Sequence, residues 1–246
     1  MVWYLITPIM CHNTMVLKLY YLEDGPPSLS CRQTLEALGV PFELVNVSFY
    51  NGEHMTEEFA KKNPQKELPV LEDDGFFLNE SVAMMQYICD KFKPNNSLYP
   101  TDPKARAIIN QRLMFTSSTY YAELLNYFIM PIYFKYERTP EGLKRVHRAL
   151  DLFETYLERE GTSYAAANHL TIADFPLINA TMAMEVTDFD FSKYKRITKW
   201  YNDFKKNQPK LWSITAEGMS LMRKCVENPP DLSHLNHPLH PARKAE

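Results

Sequence analysis

Glu80 and Ser81 stand where a strand-like run gives way to a helical one, so unpaired backbone N–H groups, the positive end of a helix dipole and a hydroxyl converge there. A carboxylate suits such a place, and the Glu80 carboxylate can itself meet an ammonium. A second feature is the run Asn63-Pro64-Gln65-Lys66-Glu67-Leu68-Pro69-Val70-Leu71. An X-Pro bond adopts cis at a cost of only ~0.5–1 kcal/mol. A cis Leu68-Pro69 would turn the Leu68 N–H and C=O outward, where a peptide could pair with them as an added strand. A third is the ring-rich stretch holding Phe115, Tyr120, Tyr121, Tyr127, Phe128 and Tyr133 beside Met114 and Met130. At least half of it reads as core, and the rest is material for an apolar site.

Metal chemistry finds little support. The cysteines Cys11, Cys31, Cys89 and Cys225 form neither a CxxC pair nor a zinc spacing, which favours free thiols in a reducing compartment. His234, His237 and His240 recur every third residue, but the interleaved Pro238 and Pro241 favour an extended tail over a metal site.

The elements that must position these residues follow from patterning. Val16 to Leu22 is rich in β-formers and stops at Glu23-Asp24-Gly25-Pro26-Pro27. A helix follows, with Ser28 as a possible cap, Cys31, Leu35 and Leu38 on one face, and Gly39 as its stop. Phe42 to Val47 predicts a strand, Thr56 to Lys62 a short helix capped by Thr56, and Asp73-Asp74-Gly75 the turn of an antiparallel hairpin. Ser81 to Phe92 closes a unit of order β-α-β-α-β-β-α. After the proline-rich linker Lys93 to Pro103 everything reads helical: a long helix from Ala105 to about Ile129 interrupted at Pro131, then one opened by Thr139-Pro140. Thr171 is expected to cap a further helix, with Asp174 at its third position and Leu170 and Phe175 as a hydrophobic staple. The expected division is an extension over 1–14, a mixed α/β domain over 15–92, a linker over 93–103, an all-helical domain over 104–228 and a tail over 229–246.

Composition narrows the function classes. The 246 residues are 45% hydrophobic, enough for a folded core, and the net charge of -3 lacks the basic footprint of a nucleic-acid binder. No apolar run reaches the ~18 residues of a membrane span. Val2 to Met10 is apolar but has neither a preceding basic residue nor a following cleavage site, so a cytoplasmic protein is the default.

The NPQ-x-x-LP run followed by Asn79-Glu80-Ser81, on this two-domain layout, resembles the cytosolic glutathione transferases, and from Met15 to about Pro209 the insect delta and epsilon group or an unclassified insect relative. The resemblance implies a thioredoxin-like N-terminal domain followed by a helical bundle, a homodimer, and glutathione as co-substrate with no metal. It places the cysteinyl backbone of glutathione at Leu68 and Pro69, the γ-glutamyl end at Glu80 and Ser81, and the glycyl carboxylate at His54 and Lys66. Lys66 replaces a second family histidine by a cation that does not titrate near neutral pH. Phe115, Tyr121 and the polar Glu123 are expected in the site for a hydrophobic electrophile, and an apolar face around Met84 and Met85 at the dimer contact. Conjugation in detoxification is the implied activity, with organic-hydroperoxide reduction beside it.

The pattern breaks at the thiol. Counting back from Leu38-Gly39 puts the family's catalytic serine at Gly25, and Leu29 stands where an arginine is usual. A donor must still lower a thiol pKa of ~8.5. Ser28 is the nearest substitute, with Ser30, the helix amides and Tyr20 or Tyr21 as alternatives. Without one, a ligandin that binds apolar molecules with little turnover is the rival reading. Cys31, on the apolar helix face, reads as a buried thiol rather than a reductase cysteine.

Overall fold

The computed structural model describes residues 16–235. The extension over 1–14, and His237 and His240 of the tail, lie outside the described residues. Strands β1 (Lys18–Tyr21), β2 (Glu43–Asn46), β3 (Val70–Asp73) and β4 (Phe76–Leu78) alternate with helices α1 (Pro26–Leu38), α2 (Glu57–Ala60) and α3 (Ser81–Phe92) in the expected order. The four-stranded sheet runs β2-β1-β3-β4, with β1 parallel to β2 and antiparallel to β3, and β4 antiparallel to β3. Asp74 and Gly75, at φ 52° and 79°, make the tight hairpin turn that their types favour.

Local chemistry sets the ends of α1. Pro26 and Pro27 occupy its opening positions, where a missing N–H costs nothing, and Gly39 at φ 61° terminates it by donating to the Glu36 and Leu35 carbonyls. Ser28 does not cap this helix.

The second half is helical throughout. Helix α4 (Pro103–Phe115) runs through a wide π-turn (Thr116–Tyr120) into α5 (Tyr121–Leu124), and through a second (Leu125–Ile129) into α6 (Met130–Phe134). These segments form one rod, since the joining residues all keep right-handed helical angles. The expected interruption at Pro131 does not occur. Proline lacks a donor and crowds the carbonyl one turn back, and the wide turn just before it relieves that conflict, so the rod stops only at Lys135, φ 55°.

Helices α7 (Pro140–Glu160), α8 (Asp174–Val186), α9 (Lys195–Asn207) and α10 (Pro209–Glu227) complete the bundle. Thr139 caps α7 by accepting from the Gly142 N–H at 3.0 Å. The expected Thr171 box forms by half: Asp174 accepts from the Thr171 N–H, while the Thr171 hydroxyl caps no helix amide and the N-cap is Ala173. Thr171 donates both its N–H and its hydroxyl to the Asp174 carboxylate, at 3.0 and 3.1 Å, while the other Asp174 oxygen accepts from Ala165 N–H and Trp200 Nε1–H. Asp174 is fully buried, and one carboxylate thereby ties a loop to two helices. Among the described residues no helix is long and apolar enough to cross a membrane.

The halves meet along α1, α8 and α10. Asn179 of α8 donates to Ser30 Oγ at 3.0 Å and Gln33 Oε1 at 2.8 Å, Gln33 donates to Thr215 Oγ1 and the Leu211 carbonyl, and Thr215 donates back to Asn179 Oδ1 at 2.8 Å. All four side chains are buried. Beside them α10 approaches so closely that a Cβ on Gly218 would lie 2.7 Å from Leu29 Cδ1. Asn179→Ala would strand buried partners on both sides of this junction, at about 1–3 kcal/mol for each group left unpaired. Urea unfolding of this variant should show a loss of at least about 2 kcal/mol, and a midpoint equal to the parent's would contradict the assignment.

Candidate functional site

Two adjoining cavities, of about 240 and 290 Å³, lie between the sheet domain and the rod and share Pro27, Glu67, Leu68, Tyr121 and Leu125 as walls. At one end the sequence run around Pro64 braces itself. Buried Asn63 donates to the Glu67 carbonyl at 2.8 Å and accepts from the Gln65 N–H at 3.0 Å, and Gln65 in turn donates to Glu80 Oε1 at 3.2 Å and accepts from Asn79 Nδ2. Glu80 is held at φ 66°, ψ 101°, a backbone conformation that a side chain disfavours and that only surrounding contacts maintain. It occupies the N-cap of α3 without a side-chain cap, and Ser81 is the first helical residue. Glu80, Ser81, Leu68 and Pro69 all line this cavity, and the Leu68-Pro69 bond is cis.

The opposite end carries the cations. His54 is buried, not exposed as a lone surface histidine would be, and its ring stacks on Phe49 with centroids 4.5 Å apart. Lys66 lines the same cavity, and its Nζ donates to the Met55 carbonyl at 3.0 Å and to Glu57 Oε1 at 2.7 Å. That ammonium holds the Glu57 carboxyl below the usual range.

Between the ends lies the start of α1, with Asp24, Gly25, Pro26 and Pro27 on the cavity wall. Ser28 is not among the lining residues. It is buried and its Oγ accepts from the Leu22 N–H at 3.1 Å, so it clamps the loop after β1. Ser30 is committed to the Pro26 carbonyl and to Asn179. Tyr20 donates to Glu72 at 2.6 Å on the sheet, and its hydroxyl is pushed up to about 12, by burial first and then by that carboxylate. Tyr21 faces a separate recess with Glu23, Arg32 and Glu217. Pro26 and Pro27 supply no N–H and Leu29 gives its own to the Gly25 carbonyl, which leaves the helix amides a thin source of donors. Cys31 is buried against Met84, and burial pushes its thiol well up.

Of the residues expected on the rod, Tyr121 faces both cavities. Phe115 does not reach them: it packs in the bundle against Tyr120, Phe153 and Tyr156. Glu123 turns toward α7, where its carboxylate meets Arg145 Nε at 3.2 Å. Asp24, Tyr50 and Met222 also line the 240 Å³ cavity, and sequence reasoning missed them, while Tyr133 of the ring-rich stretch lines it as well. Asp24 read as a turn former, and its pairing with Tyr133, 109 residues away, leaves no local signal. Among the described residues no group of three or more His, Cys, Asp or Glu is gathered for a metal.

Residues 15–90 match the family described as glutathione S-transferase, N-terminal domain, and residues 118–207 its C-terminal domain counterpart. The chain is 61% identical to a diazinon-metabolizing glutathione S-transferase of the silkworm Bombyx mori, over 85% of this chain and 100% of that one, at a TM-score of 0.81. A delta-class glutathione transferase of Nilaparvata lugens shares 32% identity over 87% and 100% of the two chains, with a TM-score of 0.81. A glutathione transferase homologue from Drosophila mojavensis, solved with bound glutathione, shares 29% identity over 87% and 98%, with a TM-score of 0.77.

The place of Ser28 leads to a test. Ser28→Ala leaves the Leu22 N–H without its acceptor and should cost about 1–3 kcal/mol of stability in urea. Turnover by the folded protein should stay within about twofold of the parent, whereas a loss of about a hundredfold or more would return Ser28 to the reaction.

Proposed function

The chain belongs to the glutathione S-transferase family, matched in both of its halves, and from that premise we propose that the paired cavities hold glutathione beside a hydrophobic electrophile. In this reading the γ-glutamyl carboxylate lies at Ser81 and the uncapped start of α3, its ammonium at Glu80, the cysteinyl backbone at Leu68, and the glycyl carboxylate at His54 and Lys66. The observation that carries it is continuity. Leu68 walls both cavities, with Glu80 and Ser81 on one side and His54 and Lys66 on the other.

The second substrate occupies the apolar part of the 240 Å³ cavity, where Tyr121, Ile129, Met130, Phe134 and Met222 offer rings, a branched aliphatic and thioethers that adapt to varied shapes. Conjugation of broad hydrophobic electrophiles in detoxification is the activity this surface supports, with organic hydroperoxides as a second substrate class. Gly25 gives the ligandin reading its one specific support, since no hydroxyl stands at that position. Steady-state kinetics with a nitroaryl halide and with cumene hydroperoxide separate the two, and turnover at the uncatalysed rate for both would favour the binding protein.

A homodimer belongs to the same reading, although Met84 and Met85 do not contribute: both are fully buried within the subunit. The exposed apolar side chains Phe76 and Met114, 48% and 52% accessible, are the better candidates for the contact. Sedimentation should give a species of twice the chain mass at micromolar concentration, and a monomer would count against it. Cys31, Cys89 and Cys225 are free thiols, in keeping with a cytoplasmic enzyme.

Ser81→Ala should weaken glutathione by about 1.5–3 kcal/mol in calorimetry, one hydrogen bond to a charged group. An unchanged affinity, or no binding by the parent at millimolar glutathione, would overturn the assignment.

A further inference from the structure

The cavity wall at Gly25 lacks a hydroxyl, yet the residue before it is a carboxylate facing the same space. Asp24 is only 5% exposed and lines the 240 Å³ cavity with Gly25, Leu68 and Tyr121. Tyr133 reaches across from α6 to donate its hydroxyl hydrogen to Asp24 Oδ2. A carboxylate buried to this degree calls for a proton-bearing partner, and Tyr133 satisfies one of its two oxygens. With the cysteinyl backbone at Leu68, the sulfur lies one side-chain length into the space that Asp24 borders.

On the basis of that glutathione site, we infer that Asp24 is the proton acceptor for the glutathione thiol and that Tyr133 holds its carboxylate in place, the pair standing in for the missing serine. The thiol proton passes to a carboxylate oxygen of Asp24, and sulfur keeps the electron pair. That pair forms the C–S bond to the electrophile, the leaving group departs with its own bonding pair, and the proton leaves Asp24 to the departing group or to water. Proton transfer within the pair leaves a single negative charge shared between sulfur and carboxylate.

The surroundings suit a base. Burial pushes the Asp24 carboxyl up from the usual range, and the Tyr133 hydrogen bond works against that rise. The groups around it are Glu23 beside it in the loop, Tyr50 from the segment after β2, Tyr121 on α5, Tyr133 on α6 and Cys225 on α10, with His54, Lys66 and Glu67 on the same cavity. Burial raises the three tyrosines on the cavity further still, so all stay protonated where the enzyme works. Tyr50 is also engaged with Cys225, 3.0 Å away. A carboxylic acid with a raised pKa is a better match to a thiol than an exposed aspartate, because a proton moves readily between groups of similar basicity.

The test is the pH dependence of kcat/KM with a nitroaryl halide, together with the ultraviolet difference absorbance of the bound thiolate. In Asp24→Asn the acid limb should move up by about one pH unit or more, toward the pKa of an unassisted thiol, with at least about a tenfold loss near pH 6.5. Calorimetry should show that S-methylglutathione, which has no thiol proton, binds this variant as tightly as the parent. Tyr133→Phe removes the bond that steadies the carboxylate, so its limb should move in the same direction by less, which keeps the inference testable if Asp24→Asn does not fold. A limb unmoved in either folded variant, with S-methylglutathione still bound, would overturn the role of Asp24 while leaving the glutathione site standing. A parent protein that binds no S-methylglutathione would overturn both.

Discussion

The closed set of hydrogen bonds around Asn179 is the constraint from which the rest of the site takes its geometry. Amide and hydroxyl groups buried at a domain boundary are tolerable only when each finds a partner, and here Ser30, Gln33, Asn179 and Thr215 find one another. Apolar packing alone would allow α1 to slide or turn on α8. The directional bonds remove that freedom, and the glycine at position 218 brings α10 in close behind. Because α1 is fixed, its first turn is fixed, and Gly25, Pro26 and Pro27 become a rigid wall of the cavity.

Much of the N-terminal half could be read from sequence because its signals are local. The prolines at the start of α1, Gly39 at its end, Thr56 before α2 and the Asp-Gly turn of the hairpin each act within a few residues of themselves. Asn63 and Gln65 act locally too, and only the bond from Gln65 to Glu80, fifteen residues on, reaches farther. The proposed glutathione subsite inherits that legibility: Leu68, Pro69, Glu80, Ser81, His54 and Lys66 each border one or both of the cavities.

The chemistry at sulfur was not legible, for the opposite reason. Whether Ser28 faces a ligand or the backbone depends on the Leu22 N–H, and nothing in the neighbouring letters says which. Asp24 gains meaning only from Tyr133 in the other half of the chain. The resemblance places Phe115 and Glu123 at the cleft, and partners on α7 distant in sequence hold them elsewhere: Phe153 and Tyr156 pack on Phe115, and Arg145 pairs with Glu123. Met84 and Met85, read as a surface, proved to be interior: with Ile88 and Cys89 they make the one face of α3 that is buried.

The wide π-turns of the rod have an evolutionary side. Each inserts one residue beyond the regular helical count, and a residue is worth about 100° of rotation. The extra residue is absorbed within the wide turn, so loss of one residue from Leu125–Ile129 would close it to a regular turn and leave Met130, Tyr133 and Phe134 near their places on the cavity wall. The lining of the cavity is thereby insulated from a one-codon deletion at this point, a change that a straight helix would answer by turning every side chain beyond it by about 100°.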